Sequence, residues 1–225
     1  MPLARANDSP ALAVFRKHLY LAWVGNSTGS HLWFSSFNGS SWTTQKAVPS
    51  SKTNGSPVIA AFNGNLDILW TGSSGKSISY STYNGKTWAA PVTIPKVGHP
   101  LGGDLAVAVF KQQLFVSWVW VRNGHDEVAY ATFDGTTWSA PQSLTPPVGA
   151  VGPAFAVSGG ALYYAWSSAV LGYSTFDGVS WSTQSTVPST TSQWAPALAT
   201  YKGSLYFAWE TNSFGVAPID YRTGP

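Results

Sequence analysis

The side chains of this chain that could do chemistry are few. Nine acidic residues are present, and bond hydrolysis between sugars takes two positioned carboxylates. Asp8, Asp134, Asp177 and Asp220 sit at turn or terminal positions, which leaves Asp67, Asp104, Asp126, Glu127 and Glu210 scattered along the chain. The four His have no metal-ligand spacing, and the absence of Cys removes disulfide frameworks and Cys-based zinc sites. "GSSGKS" (Gly72 to Ser77) ends like a phosphate-binding loop, but its first Gly stands too close and no helix follows. The twelve Lys and Arg form no cluster that could track a phosphate backbone, so nucleic acid is not an expected partner. No catalytic residue, metal site or cofactor is expected.

What the chain has in quantity is aromatic surface combined with neutral polar groups. It carries twelve Trp, ten Tyr and eleven Phe among many Ser, Thr, Asn and Gly. A Trp or Tyr beside a few polar side chains suits a sugar, because the apolar face of a pyranose stacks on the ring while its hydroxyls take hydrogen bonds. The candidates for such a site are the residues that break the chain's own pattern. They are Trp194, Trp120 and Trp33, with Arg122, His125, His99 and Glu210 expected near them on one face.

That pattern is a repeat. Five units open near residues 9, 56, 104, 152 and 195, at "SPALAVF", "SPVIAAF", "DLAVAVF", "GPAFAVS" and "APALATY". In each, a short turn leads to an apolar run ending in Trp: Trp23, Trp70, Trp118, Trp166 and Trp209. A third run follows, then an Asn-Gly or Asp-Gly pair and a further Trp, as in "SFNGSSW", "TYNGKTW", "TFDGTTW" and "TFDGVSW". Runs of five to eight residues rich in Val, Tyr, Phe, Trp and Thr, bounded by Gly, Pro, Asn or Ser, read as strands. Four antiparallel strands, five times, predict an all-β fold: a five-bladed β-propeller occupying residues 1–225 as one domain. The third residue of each first run, Ala13, Ala60, Ala108, Ala156 and Ala199, predicts crowding at a narrow centre. Unit five lacks a fourth run and a motif Trp, so residues 1–8 are expected to supply its outer strand and close the ring.

The Asn-Gly and Asp-Gly pairs predict hairpin tips between strands three and four, with a type I′ turn of positive φ at both central residues. The motif resembles the Asp box of sialidases (Ser-x-Asp-x-Gly-x-Thr-Trp), although here Gly follows Asp directly. That resemblance implies a structural hairpin away from any active site. For the five Trp closing the second run, packing between blades is the expectation; their use as sugar platforms is the alternative.

In such a blade the loops joining strands two and three emerge with the inter-blade loops on one face, and in this chain those loops vary most. The off-pattern Trp residues fall there. Through the unit "PALAVF…LYLAW…YSTFDGxxW" the whole chain resembles the bacterial and fungal propeller lectins and the non-catalytic sialidase-like repeat proteins. The resemblance implies a multivalent glycan-binding protein with shallow pockets between blades. Two rival readings stay open: a propeller that binds protein through the same face, and a glycoside hydrolase. Asp104 opens an innermost strand, where five-bladed glycosidases place carboxylates, yet no other blade has its counterpart. Only Arg5, Arg16, Arg122 and Arg222 exist, too few and too dispersed for a sialidase-like arginine cluster.

No apolar run reaches the length of a membrane span, and "MPLARANDSP" has no apolar core of a signal peptide. Membrane insertion is not expected; an extracellular setting is the weaker preference.

Overall fold

The computed structural model describes the chain except residues 1–7, 26–29, 54, 99, 123–124, 145–150, 191, 193, 212–218 and 225, and except the side chains of 100–104, 121–122, 125–126 and 151. No helix is present among the described residues. The first sheet orders β1 (Ala11–Phe15), β2 (His18–Val24), β3 (His31–Phe37) and β4 (Lys46–Lys52). The second repeats this with β5 (Val58–Phe62), β6 (Asn65–Thr71), β7 (Ile78–Tyr83) and β8 (Val92–Thr93). A third has β9 (Pro100–Phe110), β10 (Gln113–Arg122), β11 (His125–Phe133) and β12 (Gln142–Leu144), and a fourth β13 (Val151–Ser158), β14 (Ala161–Ser168), β15 (Val170–Phe176) and β16 (Ser185–Thr186). The last sheet has three strands, β17 (Ala197–Tyr201), β18 (Ser204–Glu210) and β19 (Ile219–Thr223). The expected closing strand from residues 1–8 falls almost wholly outside the described residues.

The chain divides into two compact units, Met1–Leu105 with Phe133–Pro141, and Ala106–Thr132 with Gln142–Pro225. In the first unit, Tyr20, Ala22 and Val24 of β2 pack against Leu66, Ile68 and Trp70 of β6. In the second, Phe115 and Val119 of β10 meet Leu162, Tyr164 and Trp166 of β14, and Ala165 of β14 clusters with Leu205, Phe207 and Trp209 of β18. The same rule holds each time: the strand-two residues at the repeated Trp, and two and four before it, face the preceding sheet. Period-two alternation therefore produces a core between sheets from a strand that is apolar on both faces.

Two local expectations are corrected. The two-residue turns with positive φ at both positions join strands one and two, not three and four: Arg16-Lys17 (47°, 63°), Asn63-Gly64 (47°, 76°), Lys111-Gln112 (46°, 60°), Gly159-Gly160 (56°, 80°) and Lys202-Gly203 (48°, 81°). At the Asn/Asp-Gly tips only the Gly has positive φ. There the Asn or Asp carboxamide or carboxylate oxygen accepts the amide N–H groups two and three residues on, as Asn38 does from Ser40 and Ser41 at 2.9 Å each. A side chain that satisfies those two donors makes a wider four-residue tip, for which a type I′ backbone is unnecessary. The inner-strand Ala residues are also unequal, since Ala156 is buried and Ala199 exposed.

Candidate functional site

The five repeated Trp are packing residues. Trp23, Trp70, Trp118, Trp166 and Trp209 are all at most 4% exposed, which leaves no face for a sugar to stack on. Trp70 also donates its indole N–H to the Lys52 carbonyl at 3.1 Å. The motif Trp residues do related work at the sheet margins. Trp88 packs on Phe34 and Tyr83, Trp138 on Tyr80 and Phe133, and Trp181 on Tyr130 and Phe176, with ring centroids 5.0 to 5.7 Å apart. Each thus joins the aromatic of its own hairpin to the third strand of the sheet before it. Asp134 and Asp177 are held below the usual carboxylate range, mainly by the backbone N–H groups they accept, which fits turn formers better than proton donors.

The off-pattern residues separate. Trp33 lies opposite Trp23 on β3 and rests its indole on Gly25, where a Cβ would collide with it; it is half-buried and packed. Trp120 is half-buried, edge-on to Trp118 at 6.2 Å. Trp194 is 63% exposed, its backbone held by the Ser192 hydroxyl, and it alone among these three presents an open ring. Glu210 is half-buried at the end of β18. His99 lies outside the described residues; Arg122 and His125 lie in β10 and β11, and their side chains are not described.

A cleft that the sequence did not single out lies in the second unit. A cavity of about 110 Å³ is lined by Ser143, Leu144, Tyr164, Trp166, Ser174, Trp181, Ser182 and Gln184. Tyr164 and Trp166 stack at 5.4 Å and form its buried floor, while Trp181 stands edge-on to Tyr164 at 6.2 Å. Trp181 donates its indole N–H to the Tyr130 oxygen at 3.3 Å, and the Tyr130 hydroxyl donates to Gln142 Oε1 at 2.6 Å. The Tyr164 hydroxyl and Trp166 Nε1 have no protein partner. A buried donor left unpaired costs about 1–3 kcal/mol, so both atoms destabilise the fold as they stand. Burial holds the Tyr164 phenol above the usual tyrosine range, so it stays a donor at ordinary pH. Ser143, Ser182 and Gln184 add an exposed polar rim.

Another cavity lies in the next gap of this unit. Arg222 stands opposite Phe207 as Ser174 stands opposite Tyr164, so β19 occupies the β15 position of the unit before. Tyr173, Thr186, Val187, Pro188, Arg222, Thr223 and Gly224 line a cavity of about 200 Å³ there. Arg222 donates one guanidinium N–H to the Pro188 carbonyl at 2.7 Å and is otherwise exposed. One signal was in the sequence: Tyr164 places a hydroxyl where Leu21, Ile68, Val116 and Phe207 have none.

No protein-family model matches this chain, and no curated protein sequence matches it. Solved structures do. The fucose-recognising lectin of Aleuria aurantia, described as a six-bladed β-propeller, has a TM-score of 0.69 at 16% identity, over 98% of this chain and 80% of that one. A thermostable family-43 glycoside hydrolase has 0.62 at 10% identity, over 96% and 88%, and a GH43_1 enzyme from Xanthomonas citri 0.61 at 12%, over 99% and 88%. At such identities the likeness establishes the fold: all-β sheets in a β-propeller arrangement.

Proposed function

We propose that this chain is a non-enzymatic carbohydrate-binding protein, a five-bladed propeller that holds sugars in clefts between neighbouring sheets. The observation that carries the reading is the pair of buried, unpartnered donors, Tyr164 Oη and Trp166 Nε1, on the aromatic floor of a cleft with a polar rim. Sugar hydroxyl and ring oxygens are the acceptors such a floor lacks, and the half-buried Trp181 at its edge suits the apolar face of a pyranose. The neighbouring cleft at Tyr173 and Arg222 offers a second pocket, and exposed Trp194 a platform. Several weak sites on one chain give avidity on a glycosylated surface.

The lectin and the hydrolases share this fold, so the choice rests on side chains. Hydrolysis asks for two carboxylates across one bond, and the cavities at Tyr164 and Tyr173 are lined by none. A glycan array followed by sugar titration tests the proposal. Binding is expected, with Tyr164→Phe weakening it about tenfold, roughly one hydrogen bond, and Trp194→Ala lowering avidity on multivalent glycans. Turnover of an aryl glycoside, lost in Asp104→Asn, would replace the lectin with an enzyme. Glycoprotein capture that free sugars and deglycosylation leave untouched would replace it with a protein-binding propeller.

A further inference from the structure

A second cavity, in the first unit, has the opposite chemistry and no place in the sugar reading. It encloses about 140 Å³ at the hairpin end of β6, with Asp67, Thr82 and Asn63 set among the rings of Phe62, Tyr80 and Phe133. Asp67 is 3% exposed. Its carboxylate accepts one hydrogen bond, from the Thr82 hydroxyl at 2.5 Å. A buried carboxylate is ordinarily compensated by a cation or by several donors, and Asp67 has neither. The three aromatic residues line the same cavity and pack on one another, with the Phe133 ring centroid 5.7 Å from that of Tyr80 and 6.2 Å from that of Phe62. Gly135, at φ +102°, lets the Asn63 amide close over the turn, because a Cβ there would collide with it.

We propose that this cavity binds the ammonium group of an organic cation, with the Asp67 carboxylate as its counter-ion and the faces of Phe62, Tyr80 and Phe133 as its walls. Aromatic faces attract cations, most strongly where water is displaced. A compact ammonium supplies the positive charge that the Asp67 carboxylate lacks. The other groups near it do not compete for the role. Tyr80 lines the cavity with its ring, Asp134 in the adjoining turn is turned onto the N–H groups of Thr136 and Thr137, and Arg16 donates to the Gly64 carbonyl. Burial raises Asp67 to about 6, so the cavity holds its charge at neutral pH and loses it in mild acid.

Calorimetric titration with tetramethylammonium chloride, whose charge is permanent, tests the proposal against tert-butanol, its uncharged near-isostere. Binding of the cation at pH 7.5 and none of the alcohol is expected. Affinity should fall about tenfold at pH 5, where a carboxylate titrating near 6 is about one-tenth ionised. Asp67→Asn should abolish binding while melting no earlier than the parent chain, and Tyr80→Leu should weaken it severalfold. Glucosamine against N-acetylglucosamine then shows whether the ammonium belongs to an amino sugar or to a free amine. Tyr164→Phe should leave all of this unchanged, which separates it from the sugar reading. Equal binding of alcohol and cation, or cation binding that survives Asp67→Asn, overturns it.

Discussion

The Asp67 cavity and the Tyr164 cleft stand on the second strands of two repeats, one residue apart in register, and they ask for opposite partners. Asp67 lies three residues before its repeated Trp and offers a buried acceptor; Tyr164 lies two residues before its own and offers a buried donor. Neighbouring positions on a strand point to opposite faces, so the two groups address different sides of their sheets. The difference reveals a division of labour within the repeat. Positions that recur, such as the Trp closing strand two and the Trp after each tip, hold sheets together. Asp67 and Tyr164 stand where one repeat departs from the others, whereas Trp166 Nε1, also without a partner, belongs to a position that recurs.

That contrast is sharpest in stability. Trp166→Ala removes a floor residue that is 2% exposed and should cost about 3–5 kcal/mol in urea unfolding. Trp194→Ala, at a residue 63% exposed, should cost under about 0.5 kcal/mol. A large loss at Trp194 would return it to the packing residues.

Asp67 supplies the next effect through pH. Its folded-state pKa of about 6 lies above the usual value of an unfolded aspartate, so the native state resists ionisation. The contribution of Asp67 to stability should be fully present below about pH 4, fall as pH rises from about 4 to 6, and be gone above. Asp67→Asn should therefore raise stability by about 2–3 kcal/mol at pH 8 and by almost nothing at pH 4, read from urea midpoints across pH. A gain independent of pH would show that the carboxylate is not the cause.

Tyr164→Phe has a smaller expected effect of the same sign. Removing a buried hydroxyl with no partner should leave stability unchanged or raise it by about 1 kcal/mol, in contrast to its effect on sugar. Smallest is the tip: Asn38→Ala removes the acceptor of two amide N–H groups and should cost about 1 kcal/mol or less, since both donors are reached by water. A loss of several kcal/mol would mean the tip does more than close a hairpin.

The sheets were legible because their signals are local. Short β-rich runs between turn residues set four strands in each of the first four units, and the Asn/Asp-Gly pairs fell at the tips between strands three and four. The turn class was not legible there, because an Asx side chain can replace the backbone conformation that the dipeptide suggests. Arg16-Lys17 and Lys111-Gln112 carry no Gly or Asn, yet both residues of each pair take positive φ, imposed by two strands already paired across them. The candidate site was less legible still. "NLDILW" gives no sign that its Asp is buried, and part of the cavity it lines comes from Phe133 and Gly135, far away in sequence. Tyr164 reads as one more core aromatic; that its hydroxyl meets no acceptor depends on what the neighbouring sheet does not place there. Trp33 illustrates the converse, an off-pattern Trp that Gly25 turns into packing.

Whether the unpartnered donors of the second unit hold sugar oxygens is the central question. Titration of the parent chain and of Tyr164→Phe with the best monosaccharide from a glycan array measures this. Saturable binding is expected, about tenfold weaker in the variant at undiminished thermal stability. Absence of binding to any glycan, or equal affinity in the two chains, would contradict the assignment of Tyr164 and Trp166 to a sugar site.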